Sequence, residues 1–368
     1  MVFEGLIAQL LGGALVLLAL ADVFLTVLHA RADAGIFSPR FNQLVWLAFR
    51  GVATRLGRRR DAVLSYAGPL LLAATMALWV VLLTIGFALI YWPAMGRGIV
   101  EVADIGDTPQ GFLAALYFSG ACLTTLGFGD LVPATTGFRL LAVAQSVLGF
   151  SVVTLGLTYL LSIYSALIRR NAFAIELDYA SGGRGDAAEM IVRLSAGPEI
   201  RTVKEQFAMM GRELLHLLQA HHSFPAVHYF RRPEPGYATA RSALLTLDAA
   251  SLVRAAFDPD EFAVFIGSGA VELFWRGGLQ LVRETARDVL PANVVAHQVE
   301  HPHIAAWRRR YADAHACFMA AGIAVTPDLE VGADRYVALR REWDGYVRAF
   351  ADYMAYDWAT IDPLTANG

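Results

Sequence analysis

Residues 124–130 read Thr-Thr-Leu-Gly-Phe-Gly-Asp. Two glycines alternate with larger residues, a pattern that suits neither a strand nor a helix. Glycine permits positive φ values, so an extended backbone here can aim successive carbonyl groups to one side. The Thr125 hydroxyl adds one more oxygen below those carbonyls. Such a row of oxygens can replace the hydration shell of a dehydrated monovalent cation.

The segment before this heptapeptide predicts a short helix that enters a membrane without crossing it. Thr108 and Pro109 match an N-cap and the first helical position. The apolar residues 112–123 that follow are too few to span a bilayer. The C-terminal end of such a helix carries partial negative charge and would point at a cation. An ordinary glycine-rich loop between hydrophobic segments is the alternative.

These features together resemble the pore of the potassium-channel family, whose filter reads T-V-G-Y-G. Leu126 stands where Val or Ile is usual, and Phe128 stands where Tyr is usual. The resemblance implies that K+, the permeant ion, binds at Thr125, Leu126, Gly127, Phe128 and Gly129. It also implies support of the filter by Thr124, Asp130, Tyr117 and Phe118. Because a filter needs a ring of carbonyls, it implies a homotetramer in a lipid bilayer.

Composition agrees with a membrane protein. Only 17% of the 368 residues are charged and 56% are hydrophobic, and the mean hydropathy is +0.47. The net charge of −3 and the lack of a basic tract outside the membrane flanks predict no nucleic-acid partner. Cys122 and Cys317 lie in different halves of the chain, which excludes a disulfide framework. No nucleophile–base arrangement stands out, so we expect no enzyme activity and no cofactor.

Three apolar runs predict transmembrane helices, at residues 5–30, 66–92 and 138–168. Arginines dominate residues 31–60, and Arg169-Arg170 ends the third run. The positive-inside rule therefore predicts a multi-pass protein of the cell (inner) membrane, with its N-terminus outside and its C-terminal domain in the cytoplasm. Within residues 31–60, apolar residues at helical spacing predict an amphipathic helix on the inner membrane surface. They are Phe41, Leu44, Val45, Leu47, Ala48 and Val52.

Asp22 is an acid inside the first predicted span, with His29 on the same helix face. An intramembrane acid is a functional candidate. The favoured alternative is a structural partner for an arginine of the next segment. In the outer loop, Glu101, Asp104 and Asp107 either concentrate cations at a pore mouth or belong to an ordinary polar loop.

The third span carries glycines at 149 and 156. The potassium-channel resemblance places Gly149 at the hinge of the inner helix, and the alternative is close helix packing. Residues at 3–4 spacing form one face, which by the same resemblance lines the cavity and carries the gate. They are Phe150, Val153, Leu157, Leu161 and Ser165.

Beyond residue 171 the sequence predicts an all-α cytoplasmic domain, reached through a flexible linker at residues 179–186. Helix starts are expected at Pro198-Glu199, Asp258-Pro259 and Thr326-Pro327. Gly267-Ser268-Gly269 lacks the third glycine of a dinucleotide site. Two histidine groups lack the spacing of zinc motifs, so we expect no structural metal. The groups are His216, His221, His222 and His228, and His297, His301 and His303.

The sequence thus predicts an all-α membrane protein: three transmembrane helices, a re-entrant pore helix with a selectivity filter, and a helical domain. The expected domains are residues 1–65, 66–170 and 171–368. The favoured function is passive, potassium-selective transport, gated by an unknown ligand of the helical domain, because no span carries the repeated arginines of a voltage sensor. A poorly selective cation channel and a membrane-anchored sensor with a vestigial pore are the alternatives.

Overall fold

A computed structural model describes residues 2–29, 35–102, 110–195, 200–291, 294 and 303–365, except the side chains of Val2, Arg58 and Ile200. The chain forms two compact units. Unit 1 comprises Met1–Val45 and Pro69–Ile163, and unit 2 comprises Trp46–Gly68 and Tyr164–Gly368. Residues 46–68, which the sequence divided between an N-terminal segment and a pore domain, therefore cluster with the C-terminal residues.

Three helices are long and apolar enough to cross a membrane, as the sequence predicted. Helix α1 (Val2–Val23) continues into a π-helical turn (Phe24–Leu28). After α2 (Ser38–Ala53) and α3 (Arg60–Ser65), the second such helix is α4 (Ala67–Tyr91). The third is α6 (Thr136–Ala180), which continues twelve residues past the predicted end at residue 168.

Between α4 and α6 lies the short helix α5 (Phe112–Leu123). Its N-cap is Gly111, whereas Thr108 and Pro109 lie outside the described residues. Strand β1 (Ile99–Glu101) pairs antiparallel with β2 (Leu131–Pro133), a small sheet that the sequence analysis did not predict. The predicted all-α architecture is otherwise confirmed.

The core of unit 1 forms where α4 packs against α1 and α5. Trp79, Phe87 and Tyr91 of α4 are almost fully buried. A Cβ added at Gly12 of α1 would overlap the carbonyl oxygen of Gly86 in α4. Small residues therefore let these two helices approach closely, as is usual in membranes.

Unit 2 is built from helices that surround the buried helix α9 (Thr239–Ala256). The others are α7 (Ala187–Leu194), α8 (Ile200–Ser223), α10 (Pro259–Ile266), α11 (Gly269–Val289), α12 (Ile304–Ala320), α13 (Leu329–Arg341), α14 (Asp344–Tyr353) and α15 (Trp358–Ile361). Asp248 on α9 accepts hydrogen bonds from Arg310 and from Tyr336. Buried charges of this kind are tolerated because each one is paired.

Helix starts in unit 2 agree only partly with the sequence. Asp258 caps α10 as expected. Helix α13 begins two residues later than predicted, because Asp328 rather than Thr326 accepts its first N–H groups. Pro198 and Glu199 lie outside the described residues. Ser268, between the two glycines, caps α11, so this glycine motif is a helix junction.

The predicted flexible linker at residues 179–186 is a tight turn. Helix α6 runs to Ala180, and Gly182, Gly183 and Gly185 then take positive φ values. Arg241 donates to the Gly183 carbonyl at 3.0 Å, and Asp186 caps α7. Glycine here allows the chain to reverse within a few residues and pack against α9.

Candidate functional site

The backbone of the heptapeptide alternates in conformation. Thr125, Gly127 and Gly129 have φ values of +59°, +56° and +82°, and Leu126 and Phe128 between them do not have positive φ. Alternation between left-handed and ordinary conformations rotates successive peptide planes, so that their carbonyl groups point to the same side. A positive φ is unusual for threonine and persists only where the surroundings hold it.

The end of α5 holds the base of this segment. The N–H groups of Thr124 and Leu126 donate to the carbonyls of Gly120 and Ala121, both at 3.0 Å. The N–H groups at the start of the heptapeptide therefore continue the hydrogen bonding of α5. No described residue donates a hydrogen bond to the carbonyls of residues 125–129. The Thr125 hydroxyl donates to the Thr124 carbonyl at 2.7 Å.

The small sheet holds the other end. The Val102 N–H donates to the Asp130 carbonyl at 2.9 Å. Beyond β2, the Ala134 N–H donates to the Gly98 carbonyl at 2.9 Å. The heptapeptide is therefore fixed between α5 and the sheet. Of the acidic residues proposed for the outer loop, Glu101 lies on β1, and Asp104 and Asp107 lie outside the described residues.

Three of the predicted filter residues come together at one side of the segment. The Tyr117 ring stacks on Phe128 with centroids 6.3 Å apart and planes within 8°. The Tyr117 hydroxyl donates to Asp130 Oδ2 at 2.9 Å. Thr124 Oγ1 bonds to the Gly120 carbonyl and so caps α5. Phe118 faces away and packs against Tyr91 at 5.0 Å.

A buried polar network behind α5 was not predicted. Gln145 of α6 donates to the carbonyl and to Oγ of Ser119, both at 2.9 Å. Ser119 Oγ in turn donates to the Thr84 carbonyl of α4 at 2.8 Å. Ser146 of α6 donates to the Cys122 carbonyl at 2.8 Å. These bonds fix α5 between α4 and α6, and polar residues within apolar helices were their only signal in the sequence.

Gly149 of α6 lies against the end of α5. A Cβ at this position would overlap the carbonyl oxygen of Leu123, the last residue of α5. The contact gives a reason for glycine here that requires no bending of α6. The five residues proposed to line a cavity are exposed on one face of α6 or at its edge: Phe150, Val153, Leu157, Leu161 and Ser165.

Asp22 is fully buried and has four hydrogen-bond donors. Its Oδ1 accepts from the N–H groups of Phe37 and Ser38, at 2.7 and 3.3 Å. Its Oδ2 accepts from Ser38 Oγ at 2.5 Å and from the Trp79 indole at 2.7 Å. The expected arginine partner is therefore corrected for the described residues: Asp22 binds the N-terminus of α2, where the helix dipole favours an anion.

The first histidine group separates into two parts. His221, His222 and His228 lie together, while His216 is exposed elsewhere on α8. Of the second group, His303 precedes α12, and His297 and His301 lie outside the described residues. Among the residues that the structure describes, no group of three or more His, Cys, Asp or Glu side chains is arranged to hold a metal ion.

Residues 74–166 match a family model described as an ion channel. The match covers most of α4, all of α5, the heptapeptide and α6 to beyond Ser165, and it confirms the predicted resemblance. The three helices long enough to cross a membrane agree with this match.

A relative supports the membrane assignment without naming an activity. It is the uncharacterized membrane protein YdjJ of Bacillus subtilis (strain 168), which is 28% identical over 222 residues. The aligned region is 60% of this chain and 62% of that protein, so the chain spans about three fifths of the relative's length. No solved structure matches the chain.

Proposed function

We propose that the protein is a homotetrameric, potassium-selective channel for passive K+ transport across the cell membrane, with residues 124–130 as its filter. The observation that supports this most strongly is the positive φ at every second residue, Thr125, Gly127 and Gly129. It gives a carbonyl ladder for a dehydrated cation. The residues that bind K+ are Thr125, Leu126, Gly127, Phe128 and Gly129.

The exposure of this ladder supports the tetramer. In one chain, the side chains of Leu126 and Phe128 are 63% and 68% exposed. Neighbouring apolar side chains that are exposed to this extent are often covered by a partner chain. A single ladder also supplies oxygens from only one side, whereas a dehydrated cation needs them all round. Four copies around one axis satisfy both requirements.

The proposed orientation places the N-terminus outside and the C-terminal domain in the cytoplasm. Its support is the arginine excess in residues 31–60 and at the pair 169–170. Leu44, Leu47 and Val52 of α2 are exposed and apolar, as is expected of a helix that lies in the inner membrane surface. Reporter proteins fused after residue 58 and after residue 368 should both be located in the cytoplasm.

The decisive experiment is ion flux through the purified protein in liposomes. We expect K+ flux that is lost in Gly127→Ala, because φ is +56° and an added Cβ opposes this conformation. Gly137→Ala is the matched control, since Gly137 lacks a positive φ and has open space around its Cβ position. Normal flux in Gly127→Ala tetramers would contradict the filter assignment. Absence of flux in the unaltered protein would favour a sensor with a vestigial pore.

A second candidate is a poorly selective monovalent cation channel. Phe128 lacks the hydroxyl of the tyrosine usual in the family, and its ring stacks on Tyr117. We expect K+ to permeate better than Na+ and Phe128→Tyr to raise that preference, because the added hydroxyl can hydrogen-bond to α5. Equal K+ and Na+ permeability in the unaltered protein would favour the second candidate.

A further inference from the structure

Residues 225–231, here called the 225–231 loop, bind the final part of α6. Arg170 is 5% exposed. Its Nη1 donates to the Val227 carbonyl at 2.7 Å, and its Nη2 donates to the Phe230 carbonyl at 2.6 Å. Charged donors make hydrogen bonds about twice as strong as neutral ones. The position of Arg170 therefore depends on the conformation of this loop.

The same loop binds the segment that precedes α4. Arg231 donates to Asp61 Oδ1 at 2.6 Å and to the Met354 carbonyl at 3.0 Å. A Cβ at Gly68 would lie 2.7 Å from Cγ of Phe230, so the ring rests directly on that backbone. The loop thus contacts the continuation of α6 on one side and the approach to α4 on the other.

His228 of the loop is buried and contacts the buried His221 of α8. His228 Nε2 lies 2.8 Å from His221 Nδ1, and His221 Nε2 lies 3.1 Å from Asp288 Oδ2. With both rings neutral, one arrangement satisfies these contacts: His221 donates to Asp288 and accepts from His228. The remaining nitrogen, His228 Nδ1, is buried and has no partner among the described residues.

An additional proton is unfavourable in this arrangement. A proton on His221 Nδ1 would face the N–H of His228 at 2.8 Å, unless the His228 proton moves to Nδ1, which is buried and has no acceptor among the described residues. A proton on His228 Nδ1 would be a buried charge without an acceptor, which is costly. Each of these protonated states is less favourable than the neutral pair, so an additional proton favours a conformation in which the 225–231 loop leaves α8.

The surrounding charges do not compensate for such a proton. Helix α11 supplies Asp288, which Arg287 also binds, and Glu284, which binds His222. Helix α6 supplies the cation Arg170, and α14 supplies only the ring of Phe350. Burial lowers the pKa of His221, and the Asp288 carboxylate offsets only part of that effect. Burial lowers the pKa of His228 further, and His221 and Arg170 add to the effect.

We propose that the His221–His228 pair is a proton-sensitive contact, which holds the 225–231 loop on Arg170 at neutral pH and releases it when the cytoplasm acidifies. The proposal rests on the proposed channel function for its consequence, because the helix that carries Arg170 also carries Leu157 and Leu161. Release of the loop changes the restraint on that helix and hence the open probability of the pore.

The pH range follows from linkage. Each histidine binds a proton more readily once the loop is released from α8, because its pKa is then near the ordinary value of about 6.5. The held conformation is therefore fully favoured above that pH, and its population decreases as pH falls below it. The population shifts towards release by up to about tenfold per histidine for each pH unit below 6.5.

Amide hydrogen exchange of the full-length tetramer tests the contact without reference to ion flux. We expect protection of residues 225–231, corrected for intrinsic rates, to be constant between pH 7 and 8 and to fall at least tenfold by pH 5.5. Gln at 221 or 228 keeps an amide for hydrogen bonding but cannot take up a proton near pH 6. We expect His228→Gln and His221→Gln each to reduce the fall, because one of the two titrating histidines is removed.

His216→Gln is the matched control, since His216 is exposed on the same helix, and it should leave the fall unchanged. Protection that is independent of pH in the unaltered protein would overturn the proposal, even where a glutamine variant does not fold. A fall of unchanged size in both glutamine variants would also overturn it.

Flux in liposomes then separates the two proposals. With the contact and the channel both correct, acidification of the face that carries unit 2 changes K+ flux, and His228→Gln reduces this response. Protection that depends on pH, without flux under any condition, would contradict the channel and support the contact. Flux that responds to pH equally in His228→Gln and in the unaltered protein would overturn the coupling.

Discussion

At the scale of single residues, the proposed filter segment combines the ring of Phe128 with the hydroxyl of Tyr117. Phe128 supplies the ring, and Tyr117 supplies the hydroxyl that binds Asp130. Stacking at 6.3 Å connects the two. A chain with phenylalanine at this filter position can therefore keep a hydrogen bond between α5 and the residue that follows the filter.

Tyr117→Phe should weaken selectivity while leaving assembly intact. The substitution removes the bond to Asp130 and keeps the stacked ring, so the expected loss is about 1 kcal/mol. That free energy corresponds to a several-fold drop in the K+/Na+ permeability ratio, measured from reversal potentials. Tyr66→Phe is the control, since Tyr66 is 64% exposed outside the filter. An unchanged ratio in Tyr117→Phe would mean that stacking alone positions Phe128.

Asp22→Asn should destabilise the protein although the two side chains are nearly isosteric. Both carboxylate oxygens accept hydrogen bonds, whereas the new amide nitrogen would face donors from Ser38 and Trp79 or from Phe37 and Ser38. Leaving such donors unsatisfied costs about 1–3 kcal/mol. Thermal unfolding in detergent measures the effect, and a midpoint equal to that of the unaltered protein would contradict it. Trp79→Phe, which removes one donor, should make the loss in Asp22→Asn smaller, because the two residues share a contact.

At the scale of elements, the contact between α5 and α6 distinguishes two roles for Gly149. Gly149→Ala adds a Cβ that overlaps the Leu123 carbonyl, so we expect a lower unfolding temperature of the tetramer and a displaced filter. Gly13→Ala in α1 is the control, because its Cβ position is open. Loss of flux at an unchanged unfolding temperature would instead support the hinge that the sequence suggested.

The elements show what a sequence can predict and what it cannot. Apolar length predicted all three spans, and the alternating glycines predicted where positive φ occurs at Gly127 and Gly129. Both are local properties of the chain. The partners of Asp22 and Tyr117 depend instead on which helix faces pack together. Local patterns do not specify this, because several donors within reach could satisfy the same carboxylate.

The clustering of residues 46–68 with unit 2 is a second feature that the sequence did not predict. Residues 46–68 were assigned to membrane-associated segments on the basis of arginine content and apolar spacing. Trp46 is fully buried, with its ring 5.8 Å from Tyr229 and 6.3 Å from Tyr353. These partners lie far from Trp46 in the sequence, so no short stretch of sequence around Trp46 predicts this packing.

At the scale of the whole molecule, Arg170 tests whether unit 2 acts on the channel. Arg170→Gln removes the paired donors to the Val227 and Phe230 carbonyls. We expect a changed open probability at neutral pH and lower protection of the 225–231 loop. Arg169→Gln is the matched control, because Arg169 is exposed beside it. Arg170→Lys should behave like Arg170→Gln, since an ammonium group lacks the planar fork that bonds two carbonyls. Unaltered gating in both Arg170 variants would make unit 2 a scaffold rather than a regulator.

The clustering of residues 46–68 with the C-terminal part of the chain has a consequence during synthesis. Arg60 donates to the carbonyl of Ala355, which lies 295 positions later. At about 5–20 residues per second, a ribosome needs roughly 15–60 s to make the intervening chain. The membrane helices therefore enter the bilayer long before Trp46 and Arg60 meet their partners. A chain that ends before these partners are made leaves Trp46 without the rings of Tyr229 and Tyr353 that cover it.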